Sequence, residues 1–190
     1  RHEYTFHQAA IASHRRVGIM GLGSLGGAAA QMLALVGFEV RGWSQHRKDI
    51  EGVQSFCGPN ELDEFLSGCE ILVCLLALTD ETKSILNAKT MAKLPPGACV
   101  INAARGDHLV EEDLITMLDS GHLGGAALDC FPNEPLKETS PLWSHPNIFL
   151  TPHSATGTHA PAAARHVAEN IRRFYASEPL LNELDKTVGY

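Results

Sequence analysis

The sequence predicts an α/β protein: a doubly wound parallel sheet with helices on both faces. Three observations predict it. Between residues 16 and 175 short apolar runs alternate with amphipathic ones, as strands and crossover helices do in a parallel sheet. Two of those runs, 71–76 and 98–102, are almost free of polar residues, as expected of strands covered on both faces. The run at 17–20 stops at a cluster of glycines that opens an Ala- and Leu-rich segment. Right-handed crossovers then leave the doubly wound sheet as the economical topology.

In chain order, a β-branched strand over 17–20 leads into a helix over 25–35 that stops at Gly37. A second strand follows over 38–43. Asn60 is placed to cap a helix over 61–66. After the strand at 71–76, residues 79–94 hold one or two short helices and end at Pro95-Pro96. The strand at 98–102 precedes a helix over 111–118, which has acidic residues in its first turn and Gly121 beyond its end. Strands at 125–128 and 148–150 and a long Ala-rich helix over 160–175 complete the series.

The bulk properties exclude several function classes. A chain of 190 residues can bury one substantial core plus an appendage. Its net charge of −7 argues against nucleic acid as an electrostatic partner. No apolar stretch approaches the roughly 20 residues of a membrane span, and the polar residues 1–7 lack the apolar core of a signal peptide. The five cysteines are odd in number and form no C-x-x-C pair, so a reducing, cytoplasmic setting is expected, with neither a disulfide framework nor a zinc site.

Gly21-Leu22-Gly23-Ser24-Leu25-Gly26 is a G-x-G-x-x-G loop between a strand and a helix. There Gly21 permits a tight turn, Gly23 lets backbone approach a pyrophosphate, and Gly26 lets helix and strand pack closely. The phosphates then rest on amides at the helix start, including those of Ser24 and Leu25. The alternative, a tight turn that binds nothing, does not call for three glycines at this spacing.

The end of the second strand speaks to which dinucleotide is bound. NAD sites usually carry an acidic residue there for the ribose hydroxyl. This chain reads Trp43-Ser44-Gln45-His46-Arg47-Lys48 instead. Ser44 as a donor, with Arg47 and Lys48 as cations, suits a 2′-phosphate, so NADP(H) is the expected cofactor and NAD(H) the alternative. The blander reading makes Arg47 and Lys48 a solvated loop.

Four polar residues fall after predicted strand ends, where open α/β sheets bind ligands. Arg105 follows the strand at 98–102. Asp129 and Glu134 follow the one at 125–128, and His153 the one at 148–150. Hydride exchange at a 2-oxo acid needs such a set. A histidine donates or removes the carbinol proton. A carboxylate partner orients the ring and favours its charged form. A guanidinium matches the substrate carboxylate and the developing oxyanion. Taken singly, each residue reads as surface or turn; together on one sheet edge they read as a site. Asp107 and His108 adjoin Arg105, within reach of substrate or a loop, with a direct role the lesser reading, and Trp143 is expected to pack under the catalytic loop.

These stretches, namely the glycine loop, Ile101-Asn102-Ala103-Ala104-Arg105-Gly106, residues 128–135, Pro141-Leu142-Trp143 and Thr151-Pro152-His153-Ser154-Ala155, resemble the D-isomer-specific 2-hydroxyacid dehydrogenases over roughly residues 15–190. Ser44, Arg47, Lys48 and the terminal Val188-Gly189-Tyr190 look most like the bacterial glyoxylate/hydroxypyruvate reductase A group, which prefers NADPH. The resemblance implies that Arg105 binds the substrate, that Glu134 pairs with His153 as acid/base, and that Asp129 holds the nicotinamide carboxamide. It further implies a cofactor cleft lined by Leu76, Ala77, Thr79, Ala103, Ala104, Arg105, His153 and Ala155, a small 2-oxo or 2-hydroxy acid as substrate, and a homodimer. The chain departs from the pattern at Ala77, where the family commonly has Pro, and at Gln45, where the group often has Arg.

By the same resemblance, residues 1–15 are a remnant of an N-terminal lobe or hinge, 16–156 form the NAD(P)-binding domain, and 157–190 are a C-terminal helix and tail returning to the substrate lobe. That lobe is largely absent from the chain, so the chain alone is expected to bind dinucleotide and to turn over poorly or not at all. An NAD-dependent dehydrogenase of another 2-hydroxy acid, a dinucleotide-sensing binding protein of the same superfamily and a purely structural domain are the competing readings. Dinucleotide affinity and steady-state turnover separate them.

Overall fold

A computed structural model describes residues 10–157 and 159–183. The terminal Val188-Gly189-Tyr190 and residues 1–9 of the expected remnant lie outside the described residues. The chain divides into two compact units, Arg1–Pro152 and His153–Tyr190.

The first unit is built on seven parallel strands: β1 (Arg16–Met20), β2 (Glu39–Ser44), β3 (Val53–Cys57), β4 (Ile71–Cys74), β5 (Ala98–Asn102), β6 (Leu123–Leu128) and β7 (Ile148–Leu150), in the spatial order β3-β2-β1-β4-β5-β6-β7. Four helices connect them: α1 (Ser24–Val36), α2 (Leu62–Ser67), α3 (Ala88–Met91) and α4 (Glu111–Asp119). The order reverses between β1 and β4, which pair through Val17–Ile71 to Met20–Cys74. At such a reversal two successive crossovers leave in opposite directions and open a crevice at the strands' carboxyl ends.

Strand alternation accounts for the two cores. Val17 and Ile19 of β1 join Leu22, Ala30 and Val40 under α1, whereas Met20 joins Phe65, Leu66, Leu72, Val100, Leu114 and Leu118. Successive β side chains point to opposite faces, so a buried strand feeds both layers. α1 ends as expected at Gly37, whose φ of 102° is left-handed. The acidic start of α4 also serves its neighbour, because Asp113 Oδ2 accepts from the Ala88 amide that opens α3, at 2.7 Å.

Three sequence expectations need correction. Asn60 does not cap a helix. It lies inside a 3₁₀ turn, Pro59–Glu61, and α2 begins only at Leu62 with no side-chain cap. The proline sets a tight turn one step before the position Asn60 would have to occupy. The edge strand β3 has no counterpart in the expected elements. Its two central polar residues, Gln54 and Ser55, break the apolar run, which an edge position tolerates. Trp143 does not pack beneath a loop: it is 58% exposed and donates from Nε1 to Lys137 O, while its neighbour Leu142 is fully buried.

The second unit holds α5 (Ala160–Tyr175), whose end is braced by ion pairs of Arg172 and Arg173 with Glu169 and of Arg172 with Glu178. Asn170 bonds both the amide and the carbonyl of Leu181, folding the following segment back along the helix. Among the described residues no helix is long and apolar enough to cross a membrane.

All five cysteines are free. Burial pushes the Cys69 and Cys74 thiols up to about 12. Burial, then the charges of Asp129 and Glu134, push Cys130 up to about 11. Only thiolates react readily, so these three are expected to stay silent toward a thiol reagent at pH 8 until denaturant is added. Rapid modification of all five in the native chain would contradict this packing.

Candidate active site

The crevice begins with the glycine loop. Gly21 has φ 98°, its amide donates to Trp43 O at 2.8 Å, and a Cβ there would lie 2.6 Å from Leu75 O. The turn after β1 therefore presses against the segment leaving β4. A Cβ on Gly26 would overlap the Gly21 carbonyl oxygen, so only glycine lets α1 start this close to β1. Gly23 is different: nothing lies within 4 Å of where its Cβ would be. It is the N-cap of α1, with no side-chain cap and no acidic residue in the first turn. The helix start thus presents amides beside open space, with no internal oxygen competing for them, which suits a pyrophosphate.

Asn102, at the end of β5, is fully buried and shapes the turn that carries Arg105. Its Oδ1 accepts from Ala104 N at 3.2 Å and its Nδ2 donates to Arg105 O at 2.9 Å. Arg105 is exposed and donates from Nη1 to Ala104 O at 2.7 Å. Ala103 and Ala104 lie in the same turn, with the Ala103 amide on Cys74 O.

His108 makes the loop contact that the sequence reading kept only as the lesser one. It is fully buried, with Nδ1 3.3 Å from Arg105 N and Nε2 3.2 Å from Ala77 O. A carbonyl only accepts, so a proton on Nε2 serves Ala77 O, while Nδ1 faces both the amide of Arg105 and its carbonyl, the latter at 3.2 Å. Ala77 O also accepts from Thr82 Oγ1 at 2.7 Å, and Thr82 Oγ1 accepts from Thr79 N at 2.8 Å. One imidazole therefore ties the Arg105 turn to the loop of Leu76, Ala77 and Thr79. Its signal in the sequence is a histidine three residues after Arg105, next to the apolar Leu109-Val110. Replacing His108 by Ala is expected to cost about 2–4 kcal/mol in chemical denaturation, from a cavity and the loss of its bonds to the Arg105 amide and the Ala77 carbonyl. A cost under about 0.5 kcal/mol would show that the link carries no load.

Asp129 follows β6, is 6% exposed, and accepts from Thr151 Oγ1 at 2.5 Å. Glu134 lies on the surface of the next turn, where its Oε1 accepts from Phe131 N at 2.9 Å. Gly106 joins this turn to that of Arg105: a Cβ on Gly106 would overlap the Phe131–Pro132 peptide. Glycine here lets the two loops meet backbone to backbone. The first unit thus brings the glycine loop, the 76–79 loop, Arg105, Asp129 and Glu134 to the carboxyl edge of one sheet. His153, with φ 51°, and the exposed Ala155 open the second unit.

At the end of β2, Ser44 is nearly buried and its hydroxyl donates to His46 O at 2.6 Å. Arg47 donates to Ser55 O and to Glu61. Ser44 and Arg47, two of the three expected phosphate contacts, thus hold partners within the protein, and the third, Lys48, is tied by its backbone amide to Ser55 Oγ at 3.1 Å.

Comparison with known proteins agrees with this geometry. Residues 2–155 match the family described as D-isomer specific 2-hydroxyacid dehydrogenase, NAD binding domain. A glyoxylate/hydroxypyruvate reductase A from Klebsiella pneumoniae (strain 342) is 48% identical over 174 residues, 92% of this chain and 56% of that protein. The chain therefore spans little more than half the length of the curated relatives it matches. A D-isomer specific 2-hydroxyacid dehydrogenase from Xanthobacter autotrophicus Py2, solved with NADPH and MES, is 48% identical. It superimposes with a TM-score of 0.95 over 98% of this chain and 77% of that one. An NADPH-dependent glyoxylate/hydroxypyruvate reductase from Sinorhizobium meliloti, solved with NADP and sulfate, is 43% identical, with a TM-score of 0.96 over 100% of this chain and 61% of that one.

Proposed function

The chain belongs to the D-isomer-specific 2-hydroxyacid dehydrogenase family, and from that premise we propose that it is the cofactor-binding part of an NADP(H)-dependent reductase of small 2-oxo acids of the glyoxylate and hydroxypyruvate type. The observation that carries the reading is that the glycine loop, at the reversal of strand order, shares the carboxyl edge of the sheet with Arg105, Asp129 and Glu134, which follow the neighbouring strands β5 and β6. A structural domain has no need of an uncapped helix start beside open space, nor of a guanidinium and two carboxylates gathered there.

When bound, the dinucleotide supplies the hydride that reaches the substrate's carbonyl carbon. The amides at the start of α1 bind the pyrophosphate. Asp129, fixed by Thr151, accepts from the nicotinamide carboxamide. Arg105 binds the substrate carboxylate and stabilises the charge that grows on its carbonyl oxygen. His153 gives its proton to that oxygen, and Glu134 is the carboxylate partner that orients the ring and favours its protonated form. In the oxidative direction His153 takes the same proton back.

The test is initial-rate measurement on the full-length protein with glyoxylate and with hydroxypyruvate, each with NADPH and NADH. Turnover faster with NADPH supports the reading. Tight dinucleotide binding without turnover of any 2-oxo acid would favour a dinucleotide-sensing protein instead.

A further inference from the structure

We propose that Glu61 sets the strength of NADP(H) over NAD(H) discrimination, by competing with the cofactor's 2′-phosphate for Arg47. The proposal rests on the dinucleotide reading above and concerns a residue outside the motifs that carry it.

The argument starts from the loop that leaves β2. Its residues are stitched to the edge strand beside it: the Lys48 amide donates to Ser55 Oγ at 3.1 Å, and Arg47 Nη1 donates to Ser55 O. Arg47 Nη2 forms an ion pair with Glu61 Oε1. Glu61 is itself anchored, because its other oxygen accepts from the Cys57 amide at 2.8 Å, at the end of β3. This carboxylate is not a mobile surface partner that drifts away when a ligand arrives. The backbone holds it on the one guanidinium that the loop offers. Ser44, the expected hydroxyl donor, has its proton on His46 O, which leaves Lys48 as the other expected cation.

Charge decides the sign. A phosphate monoester carries −1.5 to −2 at neutral pH, and a lone guanidinium attracts it strongly. Arg47 with Glu61 is a neutral pair, and the carboxylate's own field repels the incoming phosphate. NADH lacks the phosphate and meets neither effect. The pair is partly exposed, with side-chain accessibilities of 55% and 33%, so a competing anion can reach it. The 2′-phosphate must therefore share Arg47 with Glu61 or displace it, and the chain retains less preference for NADP(H) than its cations alone suggest.

The experiment is titration of the 190-residue chain with NADPH and NADH, followed by fluorescence or calorimetry, for four proteins: the unsubstituted chain, Glu61→Gln, Arg47→Ala and the double variant. Gln keeps an oxygen for the Cys57 amide while removing the charge, and a thermal melt checks that the fold persists; Glu61→Ala is the second variant should Gln fail to fold. The expected result is that Glu61→Gln tightens NADPH about tenfold, leaves NADH within twofold, and has no effect once Arg47 is gone. An unchanged or weakened NADPH affinity in Glu61→Gln would overturn the proposal, since Glu61 would then orient Arg47 for the phosphate. An effect that survives in the Arg47→Ala background would overturn it as well. Binding of neither dinucleotide by the unsubstituted chain would overturn the cofactor reading itself, a failure that these variants keep distinct.

Discussion

Replacing His153 with alanine in the full-length protein is expected to lower kcat for glyoxylate or hydroxypyruvate reduction by about 10²–10⁴-fold, with NADPH affinity unchanged within about twofold. Without the imidazole the carbonyl oxygen has no positioned proton source as hydride arrives, and the charge left on it rests on Arg105 alone. Glu134→Gln is expected to cost less, because it leaves the acid in place and removes only what orients it. The discriminating readout is the split between kcat and dinucleotide binding. A His153→Ala variant that keeps more than a tenth of the parent kcat would remove His153 from the chemistry and transfer the acid role to another group.

Gly26→Ala is expected to be the most damaging single methyl group in the first unit. Its Cβ would overlap the Gly21 carbonyl oxygen, a backbone atom with nowhere to go because Gly21 is itself pressed against Leu75 O. About 2–4 kcal/mol of stability and most of the dinucleotide affinity should be lost together. Gly23→Ala is the contrast, since its Cβ enters open space at a φ of −73° that alanine adopts freely. Its folding free energy should move by no more than about 1 kcal/mol, while NADPH affinity falls at least about tenfold, because the methyl occupies room meant for the pyrophosphate. Chemical denaturation with and without NADPH reads both quantities. If Gly23→Ala bound NADPH normally, the open space beside α1 would not be the phosphate site.

Much of this was legible from residues alone. The strands at 98–102 and 148–150 and the helix at 160–175 coincide with β5, β7 and α5, because apolar runs between turn residues and helical periodicity are local signals. β3 was not legible: Gln54 and Ser55 are tolerable only in a strand paired on one side, and which strand lies at the edge is a property of the whole sheet. The cap at Asn60 failed for a related reason. A capping residue is recognised by its position relative to the helix start, and Pro59 moved that start. In the site, the groups proposed to carry chemistry stand in recognisable motifs, whereas the bonds that hold them do not show in the residue types. His108 and Thr151 act by bonding groups 31 and 22 residues away, while Asn102 and Thr82 bond backbone three and five residues away in turns whose shape the residue types do not declare. The same limit applied to Arg47, whose cationic character is plain in the sequence and whose pairing with Glu61 depends on how β3 is placed.

The seam at Gly106 bears on how such an enzyme can change its substrate. Because the turns bearing Arg105 and Glu134 meet backbone to backbone at Gly106, where a Cβ would overlap the Phe131–Pro132 peptide, a change in the path of one displaces the other. A library that varies either turn by itself will mostly return unfolded or misaligned proteins. Productive variation has to come from recombining both turns together, or from residues elsewhere that face the substrate.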